Sequence, residues 1–276
     1  MALLSTSTSS VEVVIAQFDE NTSWVQPFVR PGIKAIIYSK GAFQNGTHPL
    51  PNVGRESHTY LHHIVQNYDA LADWTVFTQA REPSAGYDHG VGGHMPQGVS
   101  FEDYLRPRSK FFWINTAAVS FTGVWRLCQS YRKSYNAQGE TDLTTATMVC
   151  PRPDEFKKPC DDMGGFTTSL RAKCTEGRPF EVFYREFFSH EITPGATVFF
   201  PQGARFAASA RQIRTRPITF YRRLLQALSN DKDPCDGYYM EWSWPIILGA
   251  SPCDALHELL KQRTYKKKRA RMFRRE

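Results

Sequence analysis

Between Leu50 and Asp73 the sequence reads LPNVGRESHTYLHHIVQNYDALAD, and this stretch commits the chain to a helix with one buried face. Leu61, Ile64, Val65 and Tyr68 recur at the spacing of helical turns and Leu71 closes the run, whereas Arg55, His58 and His62 fall largely on other faces. Pro51 is tolerated ahead of a helix, Asn52 is a good N-cap, and Glu56 sits where the positive end of the helix dipole favours an acid. Gly54 lets the backbone approach a neighbour closely. A helix start carrying Gly54 and Arg55 offers free backbone N–H groups and a planar guanidinium, which together suit a phosphate or diphosphate. The alternative is that Arg55 pairs with Glu56 or with a distant carboxylate.

What flanks this helix sets the fold class. VEVVIAQ (11–17) is β-branched and mostly apolar, as expected of a strand covered on both faces, and KAIIYS (34–39) and WTVFT (74–78) also read as strands. After the first strand, Phe18-Asp19-Glu20-Asn21 forms a polar cluster ahead of a short helix with Trp24, Val25 and Phe28 as its apolar side. Strand, short helix, strand, loop, helix, strand is a doubly wound α/β order, for which right-handed crossovers predict a mostly parallel sheet with helices on both faces. Ligands of such sheets lie beyond the carboxyl ends of the strands, a rule that singles out Asp19, Glu20, Lys40, Gln79 and the helix start at Arg55.

Further on, Ala80 to Gly98 reads as a glycine-rich loop carrying Asp88, His89 and His94, which either hold a divalent ion or are simply solvated. His58 and His62 share a helical face at i, i+4 but lack the glutamate of the H-E-x-x-H pattern. Phe101 to Tyr131 mixes an aromatic run, FFWINTAAVSF, with a helical-looking VWRLCQSY; 136–178 reads as a polar surface insertion, and RPFEVFYREFFSH (178–190) fits a short helix or an edge strand. ATVFF (196–200) reads as a strand leading into PQGARFAAS, and a helix opens near Pro217 with Ile218, Tyr221, Leu224, Leu225 and Leu228 on one face.

In YYMEWSWPIIL (238–248) one carboxylate, Glu241, lies among Met240, Trp242 and Trp244. Apolar surroundings raise a carboxyl's proton affinity and fit it for proton transfer, so Glu241 is either a general base or the buried partner of an arginine. Arg205 suits a diphosphate or the neutralisation of Glu241. Asp19 and Glu20 meet a base and ribose or cap the helix that follows.

The segments LPNVGRE (50–56), HTYL (58–61), NYD (67–69) and a strand with Phe77 and Gln79 resemble, in content and order, the signature of a family of fungal and algal proteins catalogued as a domain of unknown function. Ala80 stands where that family has Gly, and the Asp88-His89 pair arrives later than the family's Asp-His pair. The family in turn resembles glycosyltransferases with a single Rossmann-like (GT-A-type) nucleotide-sugar-binding domain, a likeness of fold only. QGARFAAS, then a helix, then an aromatic-flanked acid also resembles branching glycosyltransferases, where such an acid deprotonates the acceptor hydroxyl. The resemblance implies one catalytic domain over 11–260 that moves a sugar from a nucleotide-sugar donor to a hydroxyl of a glycan or other acceptor. Arg55 and Arg205 would face the donor diphosphate, Asp19 and Glu20 its nucleoside, with Gln79 at the strand end and Glu241 as the base. No tight D-x-D follows the strand that ends at Gln79, so Mn²⁺ or Mg²⁺ dependence would fall to Asp88 and His89.

Charge discriminates among other classes. Of 34 Lys and Arg, nine lie from Lys261 onward against a single acid, Glu276, so the net +7 belongs to the segment 261–276 and the rest carries 25 bases and 26 acids. That segment suits an acidic membrane surface, an acidic partner or nucleic acid, but the body carries no recognisable nucleic-acid-reading motif. A nucleic-acid-binding protein and a metal-dependent hydrolase are the competing readings. The six cysteines include no C-x-x-C pair, the first residues lack a basic flank and a long apolar run, and no stretch of about 18 apolar residues occurs. The expectation is a cytoplasmic setting with free thiols, residues 1–10 being Ser/Thr-rich and disordered.

Overall fold

The computed structural model describes residues 10–42, 45–84, 86–88, 91–95, 100–108, 111, 116–121, 125–129, 180–188 and 197–249. The readings made for 1–9, His89, 136–178 and 261–276 lie outside these residues.

The β-branched runs form strands where expected: β1 (Val11–Gln17), β2 (Ile33–Ser39) and, with a two-residue β3 (His48–Pro49) between, β4 (Trp74–Gln79) after helix α1 (Arg55–Asn67). β1 pairs in parallel with β2 on one side and β4 on the other, and β2 continues in parallel to β3. A hairpin of β5 (Gly86–Asp88) and β6 (Val91–Met95) follows, replacing much of the loop expected there, and then comes a separate sheet. In that sheet β7 (Thr116–Phe121) lies between β8 (Trp125–Gln129) and β9 (Thr197–Pro201), all antiparallel. The VWRLCQSY segment is therefore largely strand, because Trp125 to Gln129 finds an edge to pair with. The 178–190 segment resolves to helix α2 (Phe180–Phe188).

β10 (Phe206–Ser209) then crosses back to the first sheet and pairs antiparallel with β4, giving the order β10-β4-β1-β2-β3. The central sheet is thus mixed, and the expectation of a mostly parallel one holds only from β4 to β3. α3 (Ala210–Ile213), α4 (Ile218–Ala227, opened by Pro217) and α5 (Cys235–Ile247) complete the described chain.

Alternation along the strands sends their side chains to two cores. Val14, Phe77, Phe206 and Ala208 face Tyr60, Leu61 and Ile64 of α1, Tyr221 and Leu224 of α4 and Trp244 of α5. Val11, Val13, Ile15, Trp74 and Val76 face the opposite way, against Val25, Met95, Phe101, Tyr104 and Leu105. Among the described residues this second face is covered by 3-10 turns (Ser23–Phe28, Phe101–Asp103) and loop, not by α-helices, which corrects the picture of helices on both faces. Two indole N–H groups fasten it: Trp24 Nε1 donates to Ala80 O and Trp74 Nε1 to Tyr104 O, each at 2.7 Å.

Two local expectations fail. The N-cap of α1 is Gly54 (φ 59°), not Asn52. The close approach Gly54 permits is to the end of α4, where a Cβ would lie 2.6 Å from Leu228 O, while its N–H donates to Asp231 O at 2.8 Å. And Cys235 is disulfide-bonded rather than free. No described helix is long and apolar enough to cross a membrane.

Candidate active site

The carboxyl ends of β1, β2 and β4, the first turn of α1 and one face of α5 meet at a charged cluster. Its frame is unusual backbone. Among the described residues three non-glycines have positive φ, Arg55 (52°), His94 (58°) and Ala204 (50°), a conformation costing about 1–3 kcal/mol each. Arg55 and Ala204 lie beside Glu241, and His94 lies against Gly203, whose N–H Glu241 accepts.

Glu241 is 9% exposed and lies on the inner side of α5. Its Oε1 accepts the Gly203 N–H at 2.8 Å, and the Ala204 N–H also donates to it. Gly203 (φ 72°) is required there: a Cβ would sit 3.0 Å from the His94 ring. Burial, then the nearby Glu56, push the Glu241 carboxyl up to about 7, against Arg55 and the two backbone N–H groups, which pull it down.

Arg55 reaches Glu56 Oε2 (Nε, 3.6 Å) and Asp233 Oδ1 (Nη1, 3.8 Å), and its guanidinium stacks 3.9 Å above the Tyr238 ring. Burial opposes its charge, yet Glu56, Glu241, Tyr238 and Asp233 hold it more firmly protonated than usual. Lys40 extends from the end of β2, its Nζ donating to Val53 O at 2.5 Å and to Arg55 O. Burial pushes this ammonium down to about 8, with Glu56 resisting. His58, read as lying off the buried face, is in fact buried; burial, with Lys40 and His62 beside it, pushes it down to about 4.

The other expected site residues separate into two groups. Arg205, 3% exposed, lies close by, with its guanidinium donating to Thr78 Oγ1 (2.9 Å), Gly93 O (2.5 Å) and Arg81 O (3.2 Å), so it clamps β10 to β4 and the β5–β6 hairpin. Gln79 ends β4 beside Ala16. Asp19 and Glu20 follow β1 at the rim, where Glu20 Oε2 accepts the Phe18 N–H at 2.8 Å and Phe18 is 43% exposed with Lys232 above its ring. Asp88 lies in β5. Among the described residues no three His, Cys, Asp or Glu are grouped to hold a metal ion.

Two members of the site, Glu56 and Tyr60, were not legible as such. Glu56 reads as an ordinary first-turn acid, yet it is only 9% exposed and its Oε1 makes no hydrogen bond. The available signal is spacing: Glu56 lies one turn before the buried Tyr60, on a stripe that continues to Ile64.

Fold and site together define an α/β protein with a mixed sheet and a buried acid–arginine cluster at the carboxyl edge of its parallel strands. The chain belongs to a family described as "Protein of unknown function (DUF3431)", whose model matches residues 13–96 and 137–262. Arg55, Glu56, His94, Arg205 and Glu241 all fall within the matched segments. No curated protein and no solved structure matches the chain.

Proposed function

We propose that the protein is a glycosyltransferase with a Rossmann-like, GT-A-type domain, moving a sugar from a nucleotide-sugar donor to a hydroxyl of a glycan or other acceptor. The observation that carries this reading is Glu241, a buried carboxyl with its proton affinity near neutrality, held by two backbone N–H groups at the carboxyl edge of the sheet. A base of that strength suits removal of a proton from an acceptor hydroxyl at physiological pH. The acceptor oxygen bonds to the anomeric carbon, its proton passes to Glu241, and the anomeric carbon–phosphate oxygen bond breaks with its electron pair leaving on the nucleoside diphosphate. Arg55, firmly cationic at the start of α1, and Lys40 offset the charge that develops on the leaving group. The rim residues Asp19 and Glu20, with Gln79 behind them, face the nucleoside, and Arg205 holds the β4 and β10 ends in register.

A thermal-shift series with nucleoside diphosphates and nucleotide sugars, with and without Mn²⁺, tests donor binding, since a ligand that binds only the folded state raises Tm. At least one nucleotide sugar is expected to raise it. Glu241→Gln is then expected to keep that shift while sugar transfer falls about 100- to 10,000-fold. No shift with any nucleotide, or unchanged transfer by the variant, overturns the proposal.

A further inference from the structure

Between Glu191 and Asp231 the sequence contains no acid, and five arginines crowd into α3, α4 and the turn joining them: Arg211, Arg214, Arg216, Arg222 and Arg223. Arg216 is half-buried and the other four are exposed. Along α4 the exposed stripe reads Thr219, Arg222, Arg223 and Gln226, while Phe220, Tyr221 and Leu224 bury the opposite side. None of the five is ion-paired with a described carboxylate. Three guanidiniums are held by neutral groups instead. Arg214 Nε donates to Tyr68 O at 3.0 Å, Arg223 Nη2 donates to Glu186 O at 3.0 Å and lies 5.4 Å from the centre of the Phe187 ring, and Arg216 lies 5.4 Å from that of Phe220. Carbonyls and phenyl rings orient a guanidinium without neutralising it. The surface thus carries like charges, held in place, that repel one another until an outside anion meets them.

This patch lies away from the candidate site. Ser209 pairs with Trp74, the first residue of β4, and Ala210 N donates to Asp73 O at 3.3 Å. α3 and the turn to α4 therefore stand at the amino end of the parallel strands, about 20 Å of strand from their carboxyl edge. Asp73, at the same end, is taken by the N–H and hydroxyl of Ser10.

We infer that the arginine patch is a docking surface for an anionic lipid headgroup layer, which the protein meets with the amino end of its sheet while the candidate site faces away. Three observations select that partner. Of the exposed large hydrophobic side chains among the described residues, Phe18, Val29 and Val182, only Val182 is on an element of the patch, so the apolar anchor on which protein partners depend is missing. The rings beneath the arginines, Phe187, Phe220 and Tyr221, are buried and offer a nucleic-acid base no stacking surface. Outside 261–276 the chain carries 25 bases against 26 acids, so a long polyanion running on past the patch meets acids, whereas a membrane plane touches one side only. Headgroup phosphate oxygens match the paired N–H groups of a guanidinium, and a cluster of about four to eight basic residues on an amphipathic helix suffices to hold such a surface.

The test is flotation of the full-length protein with vesicles of phosphatidylcholine alone and of phosphatidylcholine and phosphatidylserine in equal parts. Binding is expected only with phosphatidylserine, weakening as added salt screens the charges. Arg211 and Arg222 are exposed and hold no partner among the described residues, so they can be replaced without touching the fold. In Arg211→Gln/Arg222→Gln the partition coefficient is expected to drop roughly 30-fold, whereas Arg211→Lys/Arg222→Lys keeps it within about threefold. The basic segment 261–276 is common to all three proteins, so the differences report the patch. Should the double Gln variant fail to fold, each single replacement carries the test, with roughly a fivefold loss apiece. Equal partition of wild type and the Gln variant, equal binding to phosphatidylcholine alone, or no binding at all overturns the inference. So does a complex with poly(U) RNA that depends on both arginines in a protein that ignores the vesicles.

Discussion

Single residues here work through the conformations that their neighbours force on them. The Glu241 carboxyl, at about 7 folded against an ordinary 4.5, binds its proton more tightly in the native state than in the unfolded chain. The stability this gives is therefore complete below about 4.5 and is lost as pH rises toward about 7, a swing on the order of 3 kcal/mol. Glu241→Gln removes the swing, so its Tm is expected to gain on wild type progressively from pH 4.5 to pH 7; parallel curves would show that Glu241 titrates normally. His58 has the opposite sign. Its neutral form is favoured by burial, so its contribution is present above 6.5 and disappears as pH falls through about 4. Gly54→Ala meets both a left-handed φ and the Leu228 carbonyl, and a loss of at least about 2 kcal/mol is expected from urea denaturation. The glycine was readable as a point of close approach. That its neighbour is the end of α4 was not, because 174 residues separate Gly54 from Leu228 and no local pattern spans that distance.

At the scale of elements, α1 is held to the sheet by polar contacts as well as by its apolar stripe. His63 Nε2 lies 3.2 Å from Glu12 Oε2 on β1, Glu12 also pairs with Lys34 Nζ at 2.6 Å, and Tyr38 OH meets His63 Nδ1 at 3.2 Å from β2. Burial works against the Glu12 anion, but His63 and Lys34 outweigh it and hold its carboxyl below the usual range. A depressed acid stabilises above its unfolded value and loses this as pH falls through the folded one. Glu12→Gln is thus expected to cost about 1–3 kcal/mol at pH 7, with the gap to wild type narrowing as pH falls below the ordinary carboxylate range, as read from denaturant midpoints across a pH series. Element identity was largely legible: β1, β2, α1, β4 and α4 announce themselves by periodicity. Trp125 to Gln129 did not, since its alternation is too short to oppose a helical reading and only the neighbouring β7 edge decides it. The hydrophobic segment of α5 could be recognised by composition, yet its helical form depends on packing against α1 and β9.

For the whole molecule, the decisive event is the return of the chain at β10. The sequence suggested a mostly parallel sheet because its first 79 residues follow a strand–crossover–strand rhythm. Nothing local reveals that Phe206–Ser209, four residues long, comes back to close the β4 side in the opposite direction. Both Arg205 and the α5 helix bearing Glu241 arrive with it, so the candidate site is assembled from two distant parts of the chain. A fragment ending at residue 205 is expected to show no cooperative thermal transition by near-ultraviolet circular dichroism, because Trp74 to Phe77 then lacks its partner strand. A sharp transition in that fragment would show that the chain up to β9 folds without β10. During synthesis the same topology sets an order of events. β4 is complete at Gln79 but its partner begins at Phe206, an interval of roughly 6–25 s at ordinary rates of translation. Through that interval the nascent chain carries an open, apolar strand edge, and this is the moment at which a chaperone has the most to protect.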